Sequence, residues 1–235
     1  MAQNQRILIK FSGELFRSDS EPVEMNKVIQ LAGQLAKLRK DYQLGIVFGG
    51  GNIFRGRNIQ ALNLNMAIAH YTGMAATIVN ALALKNAFEQ LALPSKIISS
   101  LSFGDIIPAI ERLNIIQYLE KGETLIFAAG TGNPFVTTDT CAVIRALEMQ
   151  AGLLVKATSV EGVYESDPKN NPAVRQFKNI SYKNYLELEN PLVFDKTAVS
   201  LAAEHNLSIY VFKLDKKNLK KGLKQKAGGT LISQS

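Results

Sequence analysis

The sequence predicts an α/β protein, a three-layer α/β/α sandwich with a mainly parallel central sheet. Short apolar runs, typical of strands, alternate along the chain with longer amphipathic segments, typical of helices. The apolar runs are nearly continuous, as expected of parallel strands that are covered by helices on both faces. No repeat or low-complexity linker interrupts this pattern, so we expect one domain over residues 1–235. Its lobes would be roughly 1–165 and 166–235, divided at the Pro/Asn-rich loop 166–178.

The first predicted elements are a strand at 6–11, an amphipathic helix at 26–40 and a buried strand at 44–48. The later strands are predicted at 95–99, 124–128, 153–158, 208–212 and 230–232. The later helices are predicted at 61–91 with a break near 71–73, and at 106–121, 137–151, 181–189 and 195–205.

Composition excludes several classes of protein. The single cysteine, Cys141, forbids an internal disulfide and suits a reducing cytoplasm. No apolar run reaches the roughly 18 residues of a membrane span, and the N-terminus has no leader-like apolar segment. We therefore expect a soluble, cytoplasmic protein that does not enter a membrane.

The net charge of +7 invites a nucleic-acid function. Most of this charge lies in segment 213–226, which carries seven lysines and one aspartate, a balance of +6. The segment has no arginine and no interleaved aromatic residue, so a solvated, lysine-rich helix explains it better than a binding surface. We do not expect nucleic acid binding as a main function.

The glycine loop, Gly49-Gly50-Gly51, directly follows the predicted strand at 44–48. Without side chains, its backbone N–H groups can approach an anion closely, and Arg55 adds a planar cation that matches phosphate geometry. The alternative is a tight turn whose glycines serve only packing. Neither common phosphate-binding fingerprint is present, so the interpretation needs support from other stretches.

Other stretches supply that support, because ligands of open α/β sheets bind at the carboxyl ends of strands. Lys10, Gly49–Asn52, Gly130–Asp139 and Thr158–Asp167 all lie at the carboxyl ends of predicted strands. We expect these four stretches to contribute to a shared site.

The stretch Gly130–Asp139 is the most informative of the four. Thr137, Thr138 and Asp139 are common at helix N-termini, so capping is the plain explanation for them. Capping does not explain the preceding Gly-Thr-Gly-Asn-Pro-Phe, whose hydroxyl, amide and N–H groups could bind a base edge or a ribose. Asp139 could then order a lysine or a hydrated Mg²⁺.

Six motifs together resemble the bacterial uridylate (UMP) kinases, a branch of the amino-acid-kinase superfamily. They are Lys10-Phe11-Ser12-Gly13-Glu14, Gly49 to Gly56, Gly130 to Phe135, Lys156-Ala157-Thr158 with Glu161 to Tyr164, Ser166-Asp167-Pro168, and Phe194-Asp195 before Thr197-Ala198. The match spans nearly the whole chain in family order. It implies transfer of the γ-phosphoryl group of ATP to UMP with Mg²⁺, in pyrimidine nucleotide biosynthesis, by a homohexamer. Lobe 1–165 would be the acceptor side, and lobe 166–235 would be the ATP side.

The resemblance also implies roles for individual residues. Lys10, Phe11, Ser12, Gly13, Gly51 and Arg55 would lie along the transferring phosphates, and Thr158, Tyr164 and Asp167 would hold the ATP nucleoside. Gly50, His70, Thr131, Gly132, Asn133, Pro134, Phe135, Val136, Thr137 and Thr138 would hold UMP. The catalytic residues would be Lys10, Arg55, Asp139 and Asp195, of which the two aspartates would orient cations. The resemblance does not define a set of metal ligands.

His70 departs from the family pattern, because many relatives have at this position an aspartate that holds the ribose. A neutral imidazole can still accept a hydrogen bond from a ribose hydroxyl, whereas a protonated one cannot. Alternatively, His70 points aside and another group contacts the ribose. The segment 17–22 is also shorter than in many relatives and lacks their Gly-Phe-Gly, so the resemblance does not decide whether GTP activates the protein.

Two other functions stay open, because a fold alone does not determine chemistry. The chain could be a nucleotide-binding storage or sensor protein, as the molybdenum storage proteins of the superfamily are. It could also be a kinase of the superfamily that acts on another phosphate or on a carboxylate. The presence of Lys10, Asp139 and Asp195 favours a catalyst over a storage protein.

Overall fold

The structure, a computed structural model, describes residues 5–55, 65–108, 112–166, 168, 174–189, 191, 193–214, 219–223 and 228–234. The strands are β1 (Gln5–Phe11), β2 (Tyr42–Phe48), β3 (Ser95–Ser99), β4 (Thr124–Ala128), β5 (Leu153–Thr158), β6 (Asn179–Ser181), β7 (Ile209–Lys213) and β8 (Thr230–Ser233). The helices are α1 (Met25–Leu38), α2 (Met66–Gln90), α3 (Ile115–Glu120), α4 (Thr138–Glu148), α5 (Tyr182–Glu187), α6 (Lys196–Glu204) and α7 (Leu219–Leu223).

The predicted fold class is confirmed: the protein is α/β, with an eight-stranded, mostly parallel sheet flanked by helices. The pairs β2–β4, β3–β4, β5–β7 and β6–β8 are parallel, whereas β7–β8 is antiparallel. All five residues of β4 are buried, as are the last five of β2. This burial explains why these strands are nearly continuous apolar runs in the sequence.

The chain divides into two compact units. The first unit comprises Met1–Gln5 and Phe11–Thr138, and the second comprises Arg6–Lys10 and Asp139–Ser235. The chain therefore leaves the first unit for the last time after Thr138. These bounds differ from those of the lobes 1–165 and 166–235, and an acceptor lobe and an ATP lobe with those bounds stay a prediction.

Within the first unit, the strands follow the order β3-β4-β2, and α2 packs against α1, β3 and β4. The N-terminus of α2 is capped by Asn65, whose side chain accepts hydrogen bonds from the N–H groups of Ala67 and Ile68. The predicted break near residues 71–73 is wrong, because α2 is continuous from Met66 to Gln90. A glycine inside a helix costs only about 1 kcal/mol relative to alanine, and packing of the buried face of α2 compensates for Gly73.

Among the described residues, α2 is the one helix that is long and apolar enough to cross a membrane by length and composition. Core helices of soluble proteins meet the same criterion. In the first unit, α2 buries residues such as Met74, Leu84 and Phe88 against neighbouring elements. Its apolar composition therefore has a sufficient cause in the core of this unit.

Within the second unit, the strands follow the order β1-β5-β7-β8-β6. Leu154, Val155, Ile209 and Val211 are fully buried in β5 and β7, and α5 packs against α6. Strand β6 was not predicted, because three residues after a Pro/Asn-rich loop give too short a pattern to recognise.

Two predicted helices differ in extent. The helix expected at 106–121 is limited to α3, which a 3-10 turn at Arg112–Asn114 precedes. Before that turn, the backbones of Phe103 and Ile107 exchange hydrogen bonds, which excludes helix from this segment. In the lysine-rich segment 213–226 the structure describes β7's last residue, Leu214 and α7, and the other residues lie outside the described ranges.

Candidate active site

The glycine loop in the first unit follows β2, and its middle glycine is required by packing. A Cβ added at Gly50 would lie 2.7 Å from the Gly73 carbonyl oxygen and 2.9 Å from the Ala76 Cβ, both in α2. Atoms that close would force the loop and the helix apart. The packing explanation therefore holds for Gly50.

Packing does not explain Gly51. A Cβ at Gly51 would meet one atom within 4 Å, the Glu14 Oε1 at 3.8 Å, which is an ordinary contact. In the described part of the chain, the N–H groups of Gly50 and Gly51 make no hydrogen bond. Unpaired backbone N–H groups at a loop with no side chains are a suitable site for an anion.

Arg55 is the predicted cation beside this loop. Its Nη2 lies 2.6 Å from Glu14 Oε1, and its Nε donates to the Gly51 carbonyl at 3.3 Å. The side chain is well exposed, so the ion pair contributes little to stability but can reorganise easily. In this structure the guanidinium is therefore held beside the loop by the Glu14 carboxylate.

A cavity of about 690 Å³ opens beside the glycine loop, within the first unit. It is lined by Gly50, Gly51, Phe54, Met66, Ala69, His70, Gly73, Met74, Thr77, Gly130, Asn133, Val136, Thr137 and Thr138. We call it the glycine cavity. It brings together eight of the predicted site residues: Gly50, Gly51, His70, Gly130, Asn133, Val136, Thr137 and Thr138. Of these eight, Gly130 and Gly51 were not predicted to bind UMP.

The loop after β4 is held in an unusual backbone conformation at this cavity. Ala129 and Phe135 have positive φ angles of 56° and 66°, which are rare for residues with side chains. Thr77 Oγ1 accepts a hydrogen bond from Ala129 N at 2.8 Å, and Ser100 Oγ donates to the Gly130 carbonyl at 2.7 Å. These buried bonds fix the start of the loop where it enters the cavity wall.

Phe135 is a large, exposed side chain of this loop. Its side chain is 68% exposed, and its ring centroid lies 4.9 Å from that of His70 at an interplanar angle of 55°. Tilted rings at this separation attract each other. His70, in α2, both lines the glycine cavity and contacts Phe135. Thr131, Gly132 and Pro134 lie in the same loop as Phe135 but do not line the cavity.

The residues Phe11, Ser12 and Gly13 have structural roles in the first unit. Phe11 is fully buried and stacks on Phe48 at 5.4 Å, and Ser12 Oγ accepts from Glu14 N at 3.4 Å. A Cβ at Gly13 would lie 2.2 Å from Asn52 Oδ1, so only glycine fits there. These contacts explain the motif structurally and leave its predicted nucleotide contacts as a prediction.

In the second unit, Lys10, Asp139 and Lys156 form what we call the lysine–aspartate cluster. Asp139 lies 3.1 Å from the Lys10 ammonium, and it accepts from Lys156 at 2.7 and 2.9 Å through its two carboxylate oxygens. All three side chains are largely buried. One carboxylate therefore holds two ammonium groups, which leaves the cluster with a net positive charge.

Burial and mutual attraction act against each other in this cluster. Burial raises the pKa of Asp139, but Lys10 and Lys156 outweigh it, so the pKa lies below its usual range. For Lys156, burial and the neighbouring Lys10 lower the pKa to about 8, although Asp139 raises it. Lys156 is therefore a cation whose charge depends on its carboxylate partner.

Asp195 lies at the N-terminus of α6. Its Oδ1 accepts from Ala198 N at 2.8 Å, and Thr140 Oγ1 donates to both carboxylate oxygens at 3.2 and 3.3 Å. Nearby, the Tyr185 hydroxyl bonds to both the N–H and the carbonyl of Phe194, each at 2.8 Å. These contacts hold Asp195 in place and account for it as a helix cap.

Lys156 is a site residue that the sequence prediction missed. Besides binding Asp139, its ammonium donates to the Val193 carbonyl and lies 4.6 Å over the Phe194 ring. The available signal was a charged residue inside an otherwise apolar, buried strand. Lysines are almost never fully buried unless they are paired, so this position predicts a partner.

Of the residues predicted to hold the ATP nucleoside, Thr158 is the last residue of β5, and Tyr164 forms an isolated bridge with Gln176. Burial and the charge of Glu161 raise the pKa of Tyr164. Asp167 lies outside the described residues. The described contacts leave this part of the prediction untested.

Among the described residues, no group of three or more His, Cys, Asp or Glu side chains could hold a metal ion. Asp139 and Asp195 are hard oxygen donors, which suit Mg²⁺. Mg²⁺ commonly uses one or two carboxylates together with substrate phosphates rather than a cage of protein ligands. The donor set therefore fits an ion that arrives with a nucleotide.

Unpaired loop N–H groups occur in the first unit, and a buried pair of ammonium groups occurs in the second. Each kind of group is chemically suited to bind phosphate. The model of the amino acid kinase family matches residues 5–213. The chain belongs to this family, and it is a phosphotransferase.

Solved structures give a closer comparison. The chain is 37% identical to the UMP kinase from Ureaplasma parvum, with a TM-score of 0.93, over 99% of this chain and 100% of that one. It is 30% identical to the UMP kinase from Bacillus anthracis, with a TM-score of 0.91, over 98% and 96% of the two chains. The uridylate kinase from Archaeoglobus fulgidus, at 23% identity and a TM-score of 0.74, shares the fold.

Proposed function

We propose that the protein is a UMP kinase, which transfers the γ-phosphoryl group of ATP to UMP and releases UDP and ADP. The observation that carries this proposal is the likeness to the Ureaplasma parvum UMP kinase over 99% of the chain at 37% identity. The glycine cavity and the lysine–aspartate cluster supply groups that such a reaction needs.

UMP occupies the glycine cavity. Its phosphate lies at the N–H groups of Gly50 and Gly51, which make no hydrogen bond in the described part of the chain. The loop from Thr131 to Thr138 contacts the base and the ribose through its hydroxyl, amide and backbone groups. His70, which lines the same cavity, is the acceptor for a ribose hydroxyl.

On the family resemblance, we assign Lys10 and Arg55 to the phosphates of ATP. Phosphoryl transfer needs little covalent chemistry, and the protein contributes mainly by holding the two substrates in line and neutralising charge. Lys10 neutralises the charge on the transferred group, and Arg55 exchanges Glu14 for a phosphate oxygen. Lys156 adds a second ammonium beside Asp139, which supports a role for Asp139 in holding both lysines.

Mg²⁺ accompanies ATP and, when bound, withdraws charge from its phosphate oxygens. Asp195 and Asp139 are the carboxylates that would orient the ion, directly or through water. Thr158, Tyr164 and Asp167 contact the ATP nucleoside. The ATP-side assignments for these three residues rest on the family resemblance.

In the cell, the enzyme acts in the cytoplasm, in pyrimidine nucleotide biosynthesis, as a homohexamer. The surface of α2 supports self-association, because Ile68, Tyr71 and Val79 are exposed apolar side chains along it. Apolar residues clustered on one exposed face commonly mark a protein–protein interface. Light scattering of the purified protein tests the assembly.

One assay tests the reaction. The purified protein is incubated with Mg-ATP and one acceptor at a time: UMP, CMP, aspartate, glutamate or carbamate. The nucleotide products of each reaction are separated by chromatography. We expect UDP and ADP in equal amounts with UMP, and much slower turnover with the other acceptors. Turnover of a carboxylate, of carbamate or of CMP in preference to UMP would assign a different kinase. Nucleotide binding without any turnover would indicate a storage or sensor protein.

A further inference from the structure

Two buried side-chain amides form a reciprocal pair behind the glycine loop. Asn52 Nδ2 donates to Asn80 Oδ1 at 2.9 Å, and Asn80 Nδ2 donates to Asn52 Oδ1, also at 2.9 Å. Asn52 is 2% exposed and Asn80 is 0% exposed. Asn52 follows the glycine loop in sequence, whereas Asn80 lies in the middle of α2.

Each amide uses its second N–H on a backbone carbonyl. Asn52 Nδ2 donates to the Pro22 carbonyl at 2.9 Å, and Asn80 Nδ2 donates to the Gly49 carbonyl at 2.9 Å. Because a carbonyl can only accept, these two bonds fix which end of each amide is the nitrogen. All four N–H donors of the pair are therefore used.

The bond to Gly49 determines the direction of the next N–H group. The described chain contains no cis peptide bond, so the Gly49 carbonyl and the Gly50 N–H lie in one peptide plane and point in opposite directions within it. Asn80 holds the carbonyl on the side of α2. The Gly50 N–H is thereby turned away from Asn80, and it has no hydrogen-bond partner in the described part of the chain.

The bonds between the two amides themselves contribute little net stability, because burying the amides carries a desolvation cost that these bonds roughly offset. The bonds to the backbone differ, since apolar side chains would leave the Pro22 and Gly49 carbonyls without these donors. The pair also makes glycine necessary at residue 13, where a Cβ would lie 2.2 Å from Asn52 Oδ1. A fully satisfied polar pair gives what apolar packing does not, a fixed orientation of the peptide that it holds.

We propose that Asn52 and Asn80 are positioning residues that orient the Gly50 N–H towards the phosphate of the acceptor nucleotide. This inference rests on the proposed UMP kinase function. Asn80 acts directly on the loop through Gly49, and Asn52 acts by holding the amide of Asn80. Neither side chain touches the substrate.

A matched pair of variants tests the proposal. Asn80→Asp and Asn52→Asp each replace an amide by a carboxylate of the same shape, and each keeps one bond of the reciprocal pair. Only Asn80→Asp removes the donor to the Gly49 carbonyl. At pH 8.5, where the new carboxyl is ionised, we expect KM for UMP to rise about tenfold or more in Asn80→Asp and about threefold or less in Asn52→Asp. KM for ATP should change less than about twofold in both.

Two further measurements separate positioning from general destabilisation. Leu84→Ala removes a fully buried side chain one turn further along α2, so it should lower Tm and leave KM for UMP unchanged. Calorimetric titration should show that Asn80→Asp loses affinity for UMP but binds uridine as the wild type does, because uridine has no phosphate. If Asn80→Asp does not fold, Asn80→Ser, whose side chain is too short to reach Gly49, takes its place.

The proposal is overturned by an equal rise of KM for UMP in the two aspartate variants. An unchanged KM in a folded Asn80 variant, or equal losses of affinity for UMP and uridine, would also overturn it. Turnover of UMP by the wild-type protein tests the proposed function separately. The variants are compared once the wild-type protein has been shown to turn over UMP. Failure of the proposed function is therefore not confused with failure of the positioning role.

Discussion

The glycine loop and the lysine–aspartate cluster, to which we assign phosphate groups of the substrates, hold their hydrogen-bond donors in contrasting ways. The loop offers neutral backbone N–H groups, held by buried amides and by close packing of Gly50 on α2. The cluster offers two full positive charges, held by one carboxylate. The first group of donors is fixed by chain geometry, and the second is fixed by mutual electrostatics.

The difference has a consequence for the response to pH. Backbone N–H groups do not titrate, so the loop keeps its donors at any pH at which the protein is folded. The cluster depends on ionisation, since burial and Lys10 lower the pKa of Lys156 to about 8. The two regions can therefore be distinguished by substitutions and by pH profiles, because each should respond to a different kind of change.

The largest effect is expected from the cluster. Lys10→Ala removes the ammonium that neutralises charge on the transferred group, so kcat should fall by about 10²-fold or more. The fold should persist, because the remaining Lys156 still pairs with Asp139. Steady-state kinetics and a thermal melt measure the two quantities.

Lys27→Ala, which removes a surface ion pair with Glu24, is the matched control and should keep wild-type kcat. Near-wild-type turnover of Lys10→Ala would show that Lys10 has no catalytic role.

Asp139→Asn should break the electrostatic support of the cluster. Wild-type kcat should decline as pH rises through about 8, because Lys156 loses its proton there. Asparagine removes the contribution that raises this pKa, so the alkaline decline should move to lower pH. At pH 8, kcat should fall by about 10- to 100-fold relative to wild type. A pH profile of kcat for both proteins measures this, and an unshifted alkaline limb would mean that Lys156 does not contribute to turnover.

Substitutions at two adjacent glycines test the loop, because the two residues have different surroundings. Gly51→Ala gives its Cβ only an ordinary contact with Glu14 Oε1 at 3.8 Å, so Tm should change little, whereas KM for a substrate should rise about tenfold if a phosphate lies against this residue. Gly50→Ala places its Cβ within 2.9 Å of α2, so Tm should fall as well. Kinetics and thermal melts of the two variants measure both effects. A Gly51→Ala enzyme with wild-type KM for both substrates would limit the glycines to packing.

This contrast also explains what the sequence could and could not predict. Gly49–Gly51 and the loop after β4 were predicted as site segments, because runs of glycine at strand ends are visible without knowing the fold. Strand positions were predicted almost throughout, because buried parallel strands are continuous apolar runs. The contact of His70 with Phe135 could not be predicted, since it joins α2 to a loop 65 residues further along the chain.

Residues defined by their partners were harder to predict. Lys156 and Asn80 became site or positioning residues only through distant partners, Asp139 and Gly49, that no local pattern indicates. The predicted break in α2 was wrong for a related reason. The residues 71–73 resemble a helix end locally, but packing of the buried face of α2 stabilises a continuous helix.

The smallest expected effect concerns the one titratable side chain that lines the glycine cavity among the described residues, His70. A neutral imidazole can accept a hydrogen bond from a ribose hydroxyl, whereas a protonated one cannot. If neutral His70 accepts from the ribose, KM for UMP should rise a few-fold from neutral pH to acidic conditions that protonate the imidazole. The KM for ATP, measured in the same assays, is the internal control.

His70→Asp separates this effect from titration of UMP itself, whose phosphate also changes charge in the same pH range. Aspartate restores an acceptor that stays ionised, so the rise of KM for UMP should largely vanish in the variant, while any contribution from the UMP phosphate remains in both proteins. His70→Asp also removes the ring that contacts Phe135, so His70→Phe, which keeps a ring but has no acceptor, completes the comparison. We expect His70→Phe to have a raised KM for UMP at both pH values, because it cannot accept from the ribose.

Parallel pH profiles of KM for UMP in wild type and His70→Asp would mean that His70 acts only through its ring contact with Phe135, and that another group holds the ribose. The glycine cavity would then respond to pH only through its ligand, which would sharpen its contrast with the lysine–aspartate cluster.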